Sequence, residues 1–328
     1  MGDDGKKELM ELLKSQAIAS AALPASEFEN EFFKVTELKT GYYGAIAKQN
    51  IPKDTRILVE SPLLAGVSPS DFMRDQEFMK QPDIQPLWAV IVKGSQQNST
   101  KSGADMYPPK VAEAIDSLMD LYASRRVASS LDKKVKARIM PLQDSFRKPI
   151  VGATVRIEGL TSDAGQALNG LDGVVVSVSG DRFGVDVEGV EDRKGMRAQN
   201  LKTLGGIMRT NMFVEGLYEV LTRFNHACSE ARNLRKQVMV GIDPQAPKQT
   251  HSVLIATTSI EAGQELFIDY ISEESGSLSV AERRRHLQLK YGFTCECAKC
   301  VAEAAQADGP QHAREETVRV NGQDMGFS

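Results

Sequence analysis

Hydrophobic and polar positions change period several times along the chain, and each change marks a unit. Residues 5–22 space their apolar side chains as a helix does, so 1–28 is expected to form an N-terminal helical segment. From Phe32 to Leu64 the pattern is short and strand-like. Val35, Ala45, Ile46, Ile57 and Val59 supply the apolar positions, and Thr40-Gly41 and Pro52-Lys53-Asp54 supply turns. Residues 71–150 return to the helical period, as in Val111, Ala112, Ile115, Leu118, Met119 and Tyr122, around a loose polar stretch from Gly94 to Gly103. Residues 151–204 alternate. Val155 and Ile157 lead to the run Gly173–Val178, then a Ser179-Gly180-Asp181 turn, then Phe183, Val185 and Val187, which together predict a β-hairpin. The phrase Met196–Leu201 fits one more strand and a short turn. Residues 205–275 mix strand and helix. Residues 279–290 predict a helix, with Ser279 and Glu282 spaced as a capping box. The tail, 303–328, has few large apolar residues and is expected to be loose.

Composition narrows this only a little. The 328 residues are 41% hydrophobic and 26% charged, ordinary for a soluble protein with a sizeable core. A net charge of −4 gives no global basic field for nucleic acid. No apolar run approaches the ~20 residues that span a bilayer. The N-terminus is charged from its start and lacks the apolar centre of a secretory signal, and Lys6 stands where a myristoylation pattern needs Ser or Thr. The expected setting is intracellular, cytoplasmic and/or nuclear, with no membrane. The basic stretch containing Lys133, Lys134, Lys136 and Arg138 reads as a solvated helix face in preference to a docking surface for an acidic partner.

The cysteines carry more. The chain has four, and three fall in one six-residue window, Cys295-Glu-Cys297-Ala-Lys-Cys300. A reducing compartment disfavours disulfides. Thiolates so spaced converge on one ion, and zinc takes four ligands in a tetrahedron; a closed four-sulfur site is structural. Cys228 is the remaining candidate. Free buried cysteines or a redox pair are the alternatives.

Four phrases then stand out in order: Gly41-Tyr-Tyr-Gly-Ala-Ile-Ala47 with Ile51–Ile57 and Glu60-Ser-Pro62; Arg223-Phe-Asn-His-Ala-Cys228; Gly263-Gln-Glu-Leu-Phe-Ile-Asp-Tyr270; and Tyr291-Gly-Phe-Thr-Cys-Glu-Cys-Ala-Lys-Cys300. Together they resemble the SET-domain protein-lysine methyltransferases, most closely the SET-and-MYND branch. The resemblance covers about half the chain, in blocks 31–64 and 205–300. It implies an α+β, mainly β architecture: a SET-domain β-clip fold with a pseudoknot, its first block at 29–70 and its catalytic block at 205–275. A helical insert at 71–150 and a small β-barrel at 151–204 would lie between them, and a zinc-binding post-SET segment at 276–302 would follow. The barrel's pattern is similar to SH3-like modules of the KOW or Tudor type. A protein or nucleic-acid partner for it and a purely structural insertion are both open readings, and Phe183 as its only aromatic residue argues against a methyl-lysine cage. All four cysteines are assigned to one site, so no MYND zinc domain is expected.

The resemblance also implies chemistry and roles. The reaction would move a methyl group from S-adenosylmethionine to a lysine amine of a histone or other protein. Tyr270 would lie beside the transferring methyl, with Phe213 and Tyr291 as walls of the lysine channel. Phe293 would stack on the adenine. Tyr43, Gly44, Asn211, Thr222, Asn225, His226 and Tyr270 would contact the cofactor, His226 largely through its backbone. Cys228, Cys295, Cys297 and Cys300 would bind one structural Zn2+. Two departures stand out. The family's Gly-x-Gly is here Tyr42-Tyr43-Gly44, with its first glycine replaced or displaced to Gly41. The Pro-Asn that ends its Asn-His-Ser-Cys-x-Pro-Asn is missing in register, with Asn233 as the shifted equivalent. Both departures motivate the other reading, a degenerate SET scaffold that binds partners without catalysis.

Overall fold

The computed structural model describes residues 3–22, 25–39, 42–65, 71–97, 109–271 and 276–307. The Thr40-Gly41 turn, positions 98–103 of the polar stretch and positions 308–328 of the tail lie outside the described residues. The N-terminal helix predicted from residue 5 is α1 (Asp3–Ala22). It sets Leu9 against Val59, Val253 and Ile255. Its buried Gln16 substitutes for a neighbouring strand: Nε2 donates to Ile57 O at 3.1 Å, and Oε1 accepts from Val59 N at 2.9 Å. Four strands follow. β1 (Phe33–Lys39) and β2 (Tyr42–Ala47) form an antiparallel pair, and β3 (Arg56–Glu60) and β4 (Leu64–Ala65) wait for partners from far along the chain.

Helices α2 (Gln85–Gln97) and α3 (Pro109–Tyr122) then pack Ile91, Val111 and Leu118 with Phe78 and Ile84. The basic stretch is α4 (Lys133–Ile139), and here the solvated-face expectation needs correcting. Lys133 and Lys134 are exposed, but Lys136 pairs with Asp172 at 3.1 Å and Arg138 pairs with the nearly buried carboxylate of Glu219. Half of the run ties the helix to its neighbours.

Next comes an antiparallel five-stranded sheet: β5 (Thr154–Ile157), β6 (Asp172–Ser179), β7 (Arg182–Val187), β8 (Lys194–Arg197) and β9 (Leu201–Thr203), in spatial order β8-β7-β6-β5-β9. Val155, Ile157, Val175, Val185, Val187 and Leu201 give it a core of its own. The hairpin falls where the alternation places it, with Ser179 opposite Arg182 and Gly180 at φ +60° in the turn. The closing phrase makes two strands, not one, because a short helical turn at 198–200 separates β8 from β9.

The last block completes the first. α5 (Leu204–Asn211) leads to β10 (Met212–Phe213), β11 (Gly216–Leu217), β12 (Asn225–His226), β13 (Leu234–Val240), β14 (Thr250–Ala256) and β15 (Phe267–Ile268). β3 joins β14 and β4 joins β11, so neither sheet closes without both blocks. Their shared core includes Phe33, Ile57, Tyr218, Leu221, Phe224 and Leu266. α6 (Val280–Tyr291) starts at the Ser279–Glu282 capping box and ends at Gly292 in the left-handed region, φ +78°. α7 (Ala298–Ala307) corrects the expected tail. Residues 303–307 are helical, since Ala304, Ala305 and Ala307 favour helix and Lys299 pairs with Glu303 one turn on at 2.9 Å. Among the described residues no helix is long and apolar enough to cross a membrane.

One side chain joins the blocks at the loop that leads to the site. The Glu60 carboxylate accepts from the N–H groups of Glu219, Val220 and Leu221 at 2.8, 2.9 and 2.8 Å. Burial pushes its carboxyl up to about 7, against the pull of those three donors. Glu60→Ala would leave three donors unpaired, at about 1–3 kcal/mol each. The expected result is a loss of roughly 3 kcal/mol or more in urea unfolding with an unchanged slope. A loss within experimental error contradicts this role.

Candidate active site

Where the two blocks meet there is a cavity of about 280 Å³, near the lower edge of the ~300–1,000 Å³ usual for small-molecule sites. Tyr43, Asn211, Thr222, Asn225, His226, Tyr270, Tyr291 and Phe293 all line it. A narrow adjoining cavity of about 20 Å³ is lined by Phe213 with Thr210, Met212, Tyr270 and Tyr291 among others. Tyr270 and Tyr291 border both. The candidates singled out from sequence are therefore brought together, although they come from β2, α5, β10, the turn at 221–223, β12, the residues just after β15, the end of α6 and the segment after it.

The parallel pairing of β12 with β15 sets the geometry. It puts Asn225 beside Phe267 and His226 beside Ile268, so Tyr270 emerges next to both. Asn225 Nδ2 donates to Tyr43 O at 3.1 Å and to Glu265 Oε1 at 2.7 Å. Both amide hydrogens are used, so any further bond from this side chain must be accepted at Oδ1. Gly44 permits the arrangement. A Cβ there would lie 2.6 Å from Leu38 Cδ1, 2.8 Å from Glu265 Oε1 and 2.9 Å from Asn225 Nδ2. Gly44 is thus the glycine this crossing requires; Tyr42 and Tyr43 line the cavity beside it, and Gly41 lies outside the described residues. Asn233 does not reach the cavity lining. It donates to Glu265 O at 2.8 Å and accepts from Phe267 N at 2.8 Å, which pins β15 in place.

Tyr270 donates its hydroxyl to Phe224 O at 2.7 Å. Burial, with Tyr42 and Tyr291 nearby, pushes its phenol far above the ordinary range, so the group stays neutral. Its ring lies 4.9 Å from that of Tyr291 and meets that of Phe293 edge-on at 6.3 Å. Three further lining residues carry no sequence signal of their own kind. Gln143 and Ser145 come from the connection after α4, where Asn211 Nδ2 donates to Gln143 O at 2.7 Å and Ser145 N donates to Thr210 Oγ1 at 3.1 Å. Arg223 is 8% exposed and sits 5.4 Å from the centre of the Tyr43 ring. It stands in the same phrase as Asn225 and His226, and that adjacency could have marked it.

Behind this wall the four cysteines converge. The Sγ atoms of Cys228, Cys295, Cys297 and Cys300 all lie within 4.8 Å of one another, with Cys228 at 3.9 Å from Cys295 and 3.6 Å from Cys300. These separations are far from the ~2.05 Å of a disulfide. They match the ~3.8 Å edge of a sulfur tetrahedron around a cation bound at ~2.3 Å. The donor set fits zinc. The window at 295–300 follows Tyr291 and Phe293 directly, and both rings pack against the cluster.

The family model of the SET domain matches residues 42–271, well over half of the 328. The chain is similar to the histone-lysine N-methyltransferase SET5 of Vanderwaltozyma polyspora, 31% identical over 98 residues, which are 30% of this chain and 17% of that protein. It is similar to the histone-lysine N-methyltransferase SMYD3 of Mus musculus, 32% identical over 93 residues, 28% of this chain and 18% of that one. It is also similar to the protein-lysine N-trimethyltransferase SMYD5 of Gallus gallus, 30% identical over 109 residues, 33% of this chain and 23% of that one. The chain spans no more than 23% of the length of any of these three.

If the cysteines hold a metal, the purified protein carries one zinc per chain by elemental mass spectrometry, and Cys297→Ser lowers that content. On chelation, hydrogen exchange should rise across 276–307 while 154–203 stays protected, because the five-stranded sheet has a separate core. Metal-free protein with unchanged exchange at 276–307 contradicts the assignment.

Proposed function

The chain belongs to the SET-domain family, and on that footing we propose that it is a protein-lysine N-methyltransferase that acts on a lysine of a histone or other protein. The observation that carries this reading is the pair of adjoining cavities, one wide and one narrow, with Tyr270 and Tyr291 on the border of both. In this reading the wide cavity takes S-adenosylmethionine, which supplies the methyl group when bound, and the narrow one takes the lysine side chain.

The residues present suit both halves. Asn225 offers Oδ1 as an acceptor for a cofactor amine, and Phe293 offers a ring face for an adenine. A free lysine amine has a pKa near ~10.4, and only its neutral form attacks. Phe213, Tyr270 and Tyr291 around a narrow channel desolvate the amine and so favour that form. Tyr270 is not a base in this scheme, since its phenol stays neutral. With its hydrogen given to Phe224 O, its oxygen has lone pairs to accept from the amine and aim the nitrogen. The excess proton leaves to solvent before the lysine seats.

The finer architecture is part of the same proposal. Residues 29–70 and 205–275 are the two blocks of the catalytic domain, and the threading of β12 past β15 is its pseudoknot. Residues 276–302 are a post-SET segment closed by Zn2+, and 151–204 is an SH3-like barrel, either a structural insertion or a module for a protein or nucleic-acid partner. The working compartment is the cytoplasm or nucleus.

The test is transfer of labelled methyl from S-adenosylmethionine to histones and to a cell extract. Wild-type protein should label a target, and Tyr270→Phe should label it about 10²-fold more slowly, the scale of a small misplacement of the reacting groups. S-adenosylhomocysteine affinity should change little in that variant. A wild-type protein that neither binds S-adenosylmethionine nor labels anything overturns the reading.

A further inference from the structure

We propose that the imidazole of His226 is a positioning residue that links the metal centre to Tyr270, with Arg283 as the second buried donor to the sulfurs. The His226 side chain is fully buried, at 0% exposure. Its Nδ1 lies 3.0 Å from the backbone N of Tyr270, which has a hydrogen to donate, so Nδ1 is the acceptor. The ring's own hydrogen is therefore on Nε2, 3.2 Å from Cys228 Sγ, and it is donated to sulfur. Asp269 Oδ1 lies 3.7 Å from Nδ1, too far for a hydrogen bond, and its two oxygens accept instead from Ile271 N and Ser229 N at 2.9 Å each. The ring is thus a bridge with one bond to each side.

A zinc ion with four thiolates carries two net negative charges, and such a buried group requires compensation. His226 supplies a donor at Cys228. Arg283 supplies a cation at Cys300. Its guanidinium is 1% exposed, with Nη2 at 3.5 Å from Cys300 Sγ and 2.6 Å from Glu303, and Nη1 at 2.5 Å from Leu278 O. Lys299 continues the chain of charges, pairing with Glu303 at 2.9 Å and Glu230 at 3.0 Å. The two donors reach different sulfurs, and of the two only His226 also holds a residue of the cavity. Donors of this kind orient metal ligands and set their basicity.

The inference rests on zinc at the four cysteines and on no step of methyl transfer. Its test uses neither cofactor nor activity, so its failure is distinct from failure of the transferase reading. Zinc dissociation constants are measured for the full chain by competition with a chromogenic chelator. The Tyr270 amide is followed in protein labelled with 15N-tyrosine, which gives seven tyrosine signals, with Tyr270→Phe for assignment. Arg283→Met should weaken zinc roughly 10-fold or more. His226→Asn keeps an acceptor near Nδ1 and loses the donor at Nε2; it should weaken zinc roughly 10-fold and leave the Tyr270 amide near its wild-type shift. His226→Gln keeps a donor near Nε2 and loses the acceptor; it should hold zinc within about 3-fold and move the amide. In the wild type, zinc titration should move the Tyr270 amide, a readout that needs no variant. The proposal is overturned if that amide ignores zinc, or if both His226 variants lose zinc and the amide shift alike.

Discussion

The convergence of Cys228 with Cys295, Cys297 and Cys300 is the constraint on which the site depends. Cys228 follows directly on the phrase that holds Asn225 and His226. The other three sulfurs follow directly on Tyr291 and Phe293. Bringing them within 4.8 Å of one another turns two distant stretches of chain into one wall. The segment is held besides by Lys299 pairing with Glu230 and by Tyr291 and Phe293 packing beside Tyr270. The fully buried part of the cluster around it is three of the cysteines with Ile271 and Leu287, and Leu278, Val280 and the three aromatic rings are partly buried against it. A core of this size offers limited apolar burial, and a metal bound to the four sulfurs would add stabilisation there.

Polar groups around the rest of the site have partners within the protein itself. Glu60 holds the loop at 219–221, Asn233 holds β15, and Glu265 with Tyr43 O fixes the Asn225 amide. Each is a long-range bond between the two blocks or within the second. The helical region contributes more than spacing. Asp144, buried, accepts from the N–H groups of Phe146, Arg147 and Thr203, and so sets Gln143 and Ser145 against α5 at the cavity. Preorganisation of this kind keeps a binding site from losing affinity to its own rearrangement.

Much of this was legible in the residues, and the reasons differ. The hairpin at 172–187 and the capped helix at 280–291 are local. Alternation with a Gly180 turn and a Ser279–Glu282 box specify them without reference to the rest. The metal set was legible because three of only four cysteines share one window. The cavity residues Asn225, His226, Tyr270, Tyr291 and Phe293 are legible by resemblance, because they sit in continuous phrases. Gln143 and Ser145 were not. They reach the cavity through backbone contacts to Asn211 and Thr210, which leave no periodic or compositional trace. The fate of Lys136 and Arg138 was hidden for the same reason: a basic run on a helix looks alike whether it faces water or Asp172 and Glu219. The helix through residues 303–307 does not show in hydrophobicity, which is low there; alanine content and the Lys299–Glu303 pair favour it.

The central claim is that closure of the sulfur cluster builds the cavity. Calorimetric titration of S-adenosylhomocysteine into zinc-loaded and zinc-stripped full-length chain tests it most directly. The account predicts measurable affinity in the loaded protein and at least a roughly 10-fold weaker affinity once zinc is removed, through the coupling of one site to the other. Equal affinity in the two forms would contradict it.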